Sequence, residues 1–277
     1  DKNKIMKDVE GQEKLTTKKN ILTSVLVGLS SDRPKDDKLI DYYQIKLKEL
    51  SEKYSTFLDK QEKTESQEEN WLSYSAYIKV INQLLKEVKE KELTKKDKLN
   101  RSEYTLLQKF VILSLYQTFS FRNDFANMKV LTPAEYKDLS DETRDANNYM
   151  INDNNKFIIK LNAFKNVKRI GVKSFDVPQK LERILRMWFK FNKSGYVLTL
   201  NNARDPLSAN GITKALNSIF SKYADGKKVS TSLLRHITIS HDMEGMPSIA
   251  EIEEKKQKIE DKFLHSSSMS ARYRKLD

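Results

Sequence analysis

The 277-residue chain contains no cysteine and only three histidines, and both shortages exclude classes of chemistry. Without cysteine the protein cannot form disulfides, bind zinc through thiolates or use a thiol as a nucleophile. Three histidines are few for a metalloenzyme. His241, Asp242 and Glu244 cluster near one another but lack the spacing of a known metal site. We therefore expect no bound metal and no other cofactor.

Long apolar runs are also missing from the sequence. No stretch approaches the roughly 20 apolar residues that a transmembrane helix requires, and no signal peptide opens the chain. We expect an intracellular, soluble protein with no membrane partner.

Acidic residues are few relative to basic ones in residues 98–277. The sequence has 51 Lys and Arg against 39 Asp and Glu, for a net charge of +12. Residues 1–97 carry +1 and the remaining 180 residues carry +11. A basic excess of this kind indicates a polyanionic partner such as nucleic acid or an anionic membrane. The alternative is a lysine-rich composition of the kind an AT-rich genome encodes, since 40 of the 51 basic residues are lysine.

The first third of the chain reads as helical. Apolar residues recur close to a period of 3.6 over residues 14–29, 39–58 and 71–88, and Ser73 is a suitable N-cap for the last of these helices. The charge run KEKELTKKDK has no apolar spacing and is typical of a linker. We predict a helical domain over 1–92 and a linker over 93–100.

The rest of the chain, 101–277, mixes helices with strands. Between about residues 147 and 177 the runs NYMI, KFIIKLN and RIGVKSFDV predict a small antiparallel sheet. Helical patterns surround it, and their predicted ranges are 103–119, 178–191, 211–223, 231–241 and 249–264. The predicted fold is mainly α with one small antiparallel sheet.

Four segments carry side chains suited to phosphate chemistry. They are FSFRNDFANMKVL with Arg122, FIIKLNAFKNVKRIGVKSFDVP with Lys165, STSLLRHITISHDM with Arg235, and LHSSSMSARYRK with His265 and Tyr273. Their order resembles the catalytic domain of the tyrosine recombinases, the phage-type integrases. The helical N-terminal part is similar to the core-binding domain of that family. The segments look closest to recombinases of large DNA viruses and virophages.

The resemblance implies a site-specific recombinase or integrase that clamps double-stranded DNA between two domains. In the family, a tyrosine in the place of Tyr273 attacks the DNA to form a 3′-phosphotyrosine. Arg122, Lys165, Arg235 and His265 match the other catalytic positions. The resemblance also implies a homotetramer on DNA, no cofactor, and action in the host cytoplasm, the nucleus or a virion.

Five further residues near these positions are expected to contact DNA. They are Lys168, Arg169, His236, Arg272 and Lys275.

Elementary chemistry agrees with this set of side chains. Transesterification at a DNA phosphate builds charge on the non-bridging oxygens, and planar guanidinium groups stabilise it through paired hydrogen bonds. Attack by a tyrosine keeps the bond energy in a covalent intermediate, so rejoining needs neither ATP nor metal. The leaving 5′-oxygen needs a proton donor, and a lysine on a hairpin is suited to that task.

The sequence departs from the family at Ser232, where a histidine is usual, and at Leu264, where a glycine is usual. Serine is no general base at ordinary pH, but its hydroxyl can hydrogen-bond a phosphate or the tyrosine. Lys160 and Lys168 are alternatives to Lys165. Three other functions stay open: a catalytically reduced DNA-binding relative, a type IB topoisomerase-like enzyme, and a helical scaffold protein.

Overall fold

A computed structural model describes residues 2–31, 36–154, 156–200 and 203–255, and these residues form two compact units. The first unit contains residues 2–64 and 245–255, and the second contains Glu65–Glu244. Each unit has an apolar core of its own.

The first unit is helical. Val9, Leu22 and Tyr43 are its buried residues, and α2 packs along α3. The carboxylate of Asp36 caps α3 by accepting a hydrogen bond of 3.0 Å from the backbone N–H of Leu39. Its helices are α1 (Lys2–Glu10), α2 (Leu15–Ser31) and α3 (Asp37–Asp59). Residues 249–255 are also helical.

The second unit is built around α6 (Arg101–Thr118). This helix is buried on most of its surface because its sequence is apolar nearly all the way round. Helices α5, α10 and α11 pack against it. The helices of this unit are α4 (Glu65–Asn70), α5 (Tyr74–Glu90), α6 (Arg101–Thr118), α7 (Pro133–Lys137), α8 (Asp141–Asp145), α9 (Val167–Ile170), α10 (Gln179–Phe191), α11 (Ala209–Tyr223) and α12 (Thr231–Asp242). Within the described ranges, no helix is both long enough and apolar enough to cross a membrane.

The protein is therefore mainly helical, as predicted, but its sheet is mixed and not purely antiparallel. The strands lie in the order β1-β2-β3-β4, with β1 parallel to β2 and the other two pairs antiparallel. They are β1 (Lys129–Leu131), β2 (Asn148–Asp153), β3 (Lys156–Leu161) and β4 (Lys173–Asp176). The prediction missed β1 because three residues carry no readable alternation.

The last predicted strand also begins later than expected. The first two residues of the run RIGVKSFDV, Arg169 and Ile170, belong to α9 (Val167–Ile170), which ends at Gly171 with φ +70°. That left-handed conformation suits glycine and breaks the chain direction before β4.

The compact units divide the chain at residue 64, whereas the predicted linker is 93–100. Helix α5 was expected in the N-terminal domain, but it packs on α6, and the Tyr77 hydroxyl donates a 2.9 Å hydrogen bond to the Leu113 carbonyl. Leu93 interrupts the charge run and is fully buried in the same core. The apolar face of α5 and this one leucine therefore tie the segment to the second unit.

Candidate functional site

The loop after α6 carries Arg122, and two side chains hold the backbone of that residue through hydrogen bonds. The Tyr116 hydroxyl donates a 2.7 Å hydrogen bond to the carbonyl oxygen of Arg122. The Asp124 carboxylate accepts a hydrogen bond of 3.0 Å from the backbone N–H of Arg122. Burial, and then the charge of Asp124, raise the pKa of Tyr116 well above its ordinary value, so its hydroxyl stays a donor. The Arg122 side chain itself is exposed.

Aromatic rings fix this loop against the sheet. Phe121 lies between Phe119 and Phe125, with ring centroids 5.2 Å and 5.3 Å away, and Phe175 of β4 lies 5.2 Å from it. Rings at these separations interact favourably beyond the area they bury. Arg122 lies between Phe121 and Phe125 in the sequence, so these ring contacts fix the backbone that carries its exposed side chain.

Helix α12 brings Arg235 to the same loop. Leu233, Leu234 and Ile237 are buried on the inner side of the helix, which leaves Arg235 partly buried at the boundary. Its Nε atom donates a hydrogen bond of 2.7 Å to the carbonyl oxygen of Ser120.

The two arginines are close enough to influence each other electrostatically. Burial lowers the pKa of Arg235, the like charge of Arg122 lowers it further, and the carboxylate of Asp124 opposes the effect. Two cations held together in this way repel one another unless an anion lies between them. Arg235 therefore lies against the loop that carries Arg122, with the Asp124 carboxylate nearby.

Asn148, at the start of β2, joins the Arg122 loop to the loop that carries Lys165. Its side-chain amide donates to the carbonyl oxygens of Asp124 (3.3 Å) and Ala163 (2.9 Å). Its side-chain oxygen accepts from the backbone N–H groups of Asn162 (3.0 Å) and Ala163 (2.9 Å). All four hydrogen-bonding positions of the amide are thus used.

Lys165 lies in the turn between β3 and α9, and its side chain is exposed. Lys160 lies within β3, opposite Tyr149 and Ser174, and its side chain is only partly exposed. A lysine in the connection between two strands has more freedom to reach a ligand than one inside a strand. Lys165 is therefore the more accessible of the two lysines.

Four other predicted residues are exposed on α9 and α12. Lys168 and Arg169 are exposed on α9, in the same β3–β4 connection as Lys165. His236 is exposed on α12, and so is Ser232, four positions before it and therefore on the same side of the helix. His241 is different: its ring stacks on Tyr74 with centroids 3.9 Å apart, which is a packing contact.

The remaining predicted residues, His265, Arg272, Tyr273 and Lys275, lie outside the described residues. The described part of the candidate site therefore contains the two arginines and the lysine loop. In that part of the chain, no group of three or more His, Asp or Glu side chains could hold a metal ion.

Sequence reasoning missed the residues that organise the site. Tyr116, Ser120, Asp124 and Asn148 were not singled out, because each acts through a backbone group or a hydrogen bond. The one available signal was Asp124, an acidic residue two positions after a candidate arginine.

A groove of about 600 Å³ lies elsewhere, where Arg101 and Lys109 of α6 meet Glu87, Lys222 and Tyr223. Arg101 begins α6, whereas Arg122 follows its other end. The groove includes none of the predicted catalytic residues, so it is separate from the arginine site.

Comparisons with protein-family models, curated proteins and solved structures find no match to this chain.

Proposed function

We propose that this protein is a tyrosine recombinase: an enzyme that cleaves and rejoins double-stranded DNA at specific sites through a covalent 3′-phosphotyrosine on Tyr273. The observation that carries the proposal is the placement of Arg122 and Arg235 beside one another, with Arg235 anchored on the loop that holds Arg122. A phosphate placed between two guanidinium groups removes their repulsion and accepts paired hydrogen bonds from both.

In the proposed reaction, the two guanidinium groups hold the non-bridging oxygens of the scissile phosphate. The Tyr273 hydroxyl gives its proton to His265, to His236 or to water as its oxygen attacks phosphorus. The bond from phosphorus to the 5′-oxygen breaks, and Lys165 gives a proton to that leaving oxygen. The reverse steps rejoin the DNA, so no metal or other cofactor enters.

The Lys165 role is supported by the connection through Asn148, which ties the base of the lysine loop to the carbonyl of Asp124. Exposure of Lys165 leaves its side chain able to reach a bound duplex. His265 would assist the proton transfers. Ser232 faces solvent on α12 and is suited to hydrogen-bond the phosphate.

Several finer features belong to the same proposal. We assign α1 to α3 to the core-binding domain and the chain from residue 101 to the catalytic domain, and both contact DNA. Lys168, Arg169, His236, Arg272 and Lys275 contact the DNA around the cleavage point. The enzyme works as a homotetramer on DNA, in the host cytoplasm, the nucleus or a virion.

A second candidate is a DNA-binding relative with reduced catalysis, which Ser232 favours because it replaces the histidine usual in that position. A topoisomerase-like activity would use the same catalytic set, and relaxation of supercoiled plasmid without recombination would identify it.

The test is covalent capture on a nicked suicide duplex in the presence of EDTA. The proposal predicts a protein–DNA adduct with the wild-type chain and a deep loss with Arg235→Lys, which keeps the charge but loses the planar fork. An adduct that requires magnesium, or binding without any adduct, would reject the recombinase and leave the second candidate.

A further inference from the structure

The exposed side of α10 is almost entirely cationic. Its exposed residues are Gln179, Lys180, Arg183, Arg186 and Lys190, and all but the first carry positive charge. The buried residues Leu181, Leu185 and Trp188 lie on the opposite side. We call the four basic residues the α10 cationic face.

The four cations share one side of the helix because of their spacing. They are separated by three, three and four positions, which at 100° per residue keeps them within an arc of roughly 120°. From Lys180 to Lys190 the helix rises about 15 Å. A row of cations on one helix face is a suitable surface for a linear polyanion.

Neighbouring carboxylates neutralise little of this charge. Arg186 lies 3.9 Å from Glu182 on the same helix. Lys190 donates a 2.8 Å hydrogen bond to the carbonyl oxygen of Lys96, a neutral acceptor that leaves the positive charge in place. Across the residues that the structure describes, no carboxylate oxygen lies within 4.0 Å of the Lys180, Arg183 or Lys190 side chains.

The direction of α10 places one end of this face beside the arginine site. Just before the helix begins, Phe175 packs against Phe119 and Phe121, with ring centroids 5.9 Å and 5.2 Å apart. Near its other end, Trp188 packs on Tyr104, close to the start of α6, with centroids 4.7 Å apart. The two helices are therefore antiparallel, and the α10 cationic face starts at the end of α6 where Arg122 lies.

We infer that the α10 cationic face is a second contact surface for the DNA backbone, one that follows the duplex away from the arginine site. The inference rests on the proposed function for its choice of polyanion. Charge density agrees with this partner: four cations span about 15 Å, and one strand of B-DNA has one phosphate per roughly 3.4 Å of axis, or about four over the same length. The contacts are with phosphates, so they add affinity without sequence preference.

The experiment measures how the binding constant for a duplex depends on salt in the full-length protein. The test variant combines Lys180→Gln, Arg183→Gln and Lys190→Gln. The matched control combines Lys79→Gln, Lys86→Gln and Lys89→Gln, which removes the same formal charge from exposed positions of α5. Thermal unfolding checks that both variants are folded.

The slope of log K against log salt is negative, and each lost phosphate contact reduces its magnitude by about 0.9. Three lost contacts therefore reduce the magnitude by about 2.7. We expect that decrease for the α10 variant and less than a third of it for the α5 control. Equal slopes for the wild type and the α10 variant would overturn the inference, as would an equal decrease in the α5 control.

Failure of the proposed function gives a different result. If the wild-type chain forms no covalent adduct but the α10 variant still lowers the slope selectively, the binding surface stands and the recombinase does not. If an adduct forms and the slopes agree, the recombinase stands and this surface does not. A wild-type chain that does not bind duplex DNA rejects both.

Discussion

The Nε atom of Arg235 donates a 2.7 Å hydrogen bond to the carbonyl oxygen of Ser120, two residues before Arg122. This contact joins α12 to the loop after α6 and holds one guanidinium near the other. Burial and the charge of Arg122 lower the pKa of Arg235, and the carboxylate of Asp124 opposes this change, so the three charged groups lie close enough to interact.

Sulfate should stabilise the folded protein through this pair. Ligand that binds only the native state raises its stability, by about 2.7 kcal/mol at a hundredfold excess over the dissociation constant. We expect a rise in Tm with sulfate for the wild type and a much smaller rise for Arg122→Ala and Arg235→Ala.

Sulfate also stabilises proteins generally by exclusion from their surface. Lys79→Ala, which removes an exposed lysine from α5, measures that general effect and should keep the full wild-type shift. The same shift in the two arginine variants would argue against a shared anion site.

Replacement of Asn148 should disturb both the fold and the site. Asn148→Asp keeps the oxygens that accept hydrogen bonds but loses both N–H donors. Asn148→Ala removes the side-chain partner of all four backbone groups. We expect a loss of roughly 2–3 kcal/mol in the free energy of unfolding for Asn148→Ala, because unpaired buried polar groups cost about 1–3 kcal/mol. Urea denaturation measures it.

The neighbouring Asn147 provides the control, since its side chain donates to the carbonyl of Thr143 at an exposed position. Asn147→Ala should cost less than about 1 kcal/mol, because it removes one solvent-exposed hydrogen bond and leaves no set of backbone groups unpaired. Equal losses for the two asparagines would mean that Asn148 does not join the loops as described.

The effect of Tyr116→Phe should depend on pH. Near pH 8 the substitution removes the hydrogen bond to the Arg122 carbonyl and should cost about 1 kcal/mol. The folded state raises the pKa of Tyr116 above the unfolded value of about 10, so the hydroxyl contributes its full stability below pH 10 and loses it as the pH rises further.

Phenylalanine does not ionise, so the stability of the wild type relative to Tyr116→Phe should fall by about 1.4 kcal/mol between pH 8 and pH 11. The wild type should therefore be more stable than the variant by about 1 kcal/mol at pH 8 and slightly less stable than the variant at pH 11. Denaturation by urea at both pH values measures the difference. Tyr196→Phe, at a partly exposed position, is the control. A difference that stays constant across this range would contradict the burial effect on Tyr116.

Ser232→Ala should be mild in the cleavage reaction. The hydroxyl contributes at most one hydrogen bond, worth roughly 1 kcal/mol or up to about tenfold in rate. Single-turnover cleavage of one nicked substrate compares it with Arg235→Ala, for which we expect a loss of about a hundredfold or more. A loss in Ser232→Ala as deep as that in Arg235→Ala would give Ser232 a role that its exposed position does not suggest.

Much of the second unit could be predicted from the sequence, because α5, α6 and α10 to α12 have long apolar faces at helical spacing and clear caps. Ser73, for instance, accepts a 3.1 Å hydrogen bond from the Ala76 N–H, as an N-cap should. The short elements β1, α7, α8 and α9 carry too few residues to show a period. The sheet's mixed direction follows from one of these, since β1 pairs in parallel with β2.

The site is predictable only in its residue types. Arg235 and its anchor Ser120 are 115 positions apart, and nothing local in either segment indicates that they meet. Asn148 follows another asparagine in a polar stretch, and its four hydrogen bonds depend on where two loops converge. Such contacts are products of the tertiary fold, which is why the organising residues were missed.

The most direct test of the central claim is to identify the amino acid that becomes attached to DNA. The wild-type chain is incubated with a nicked suicide duplex in EDTA, the adduct is digested with protease, and the DNA-linked peptide is sequenced by mass spectrometry. The account predicts one linked peptide, attached through Tyr273, and its loss in Tyr273→Phe. A peptide linked through another residue, or an adduct that persists in Tyr273→Phe, would contradict it.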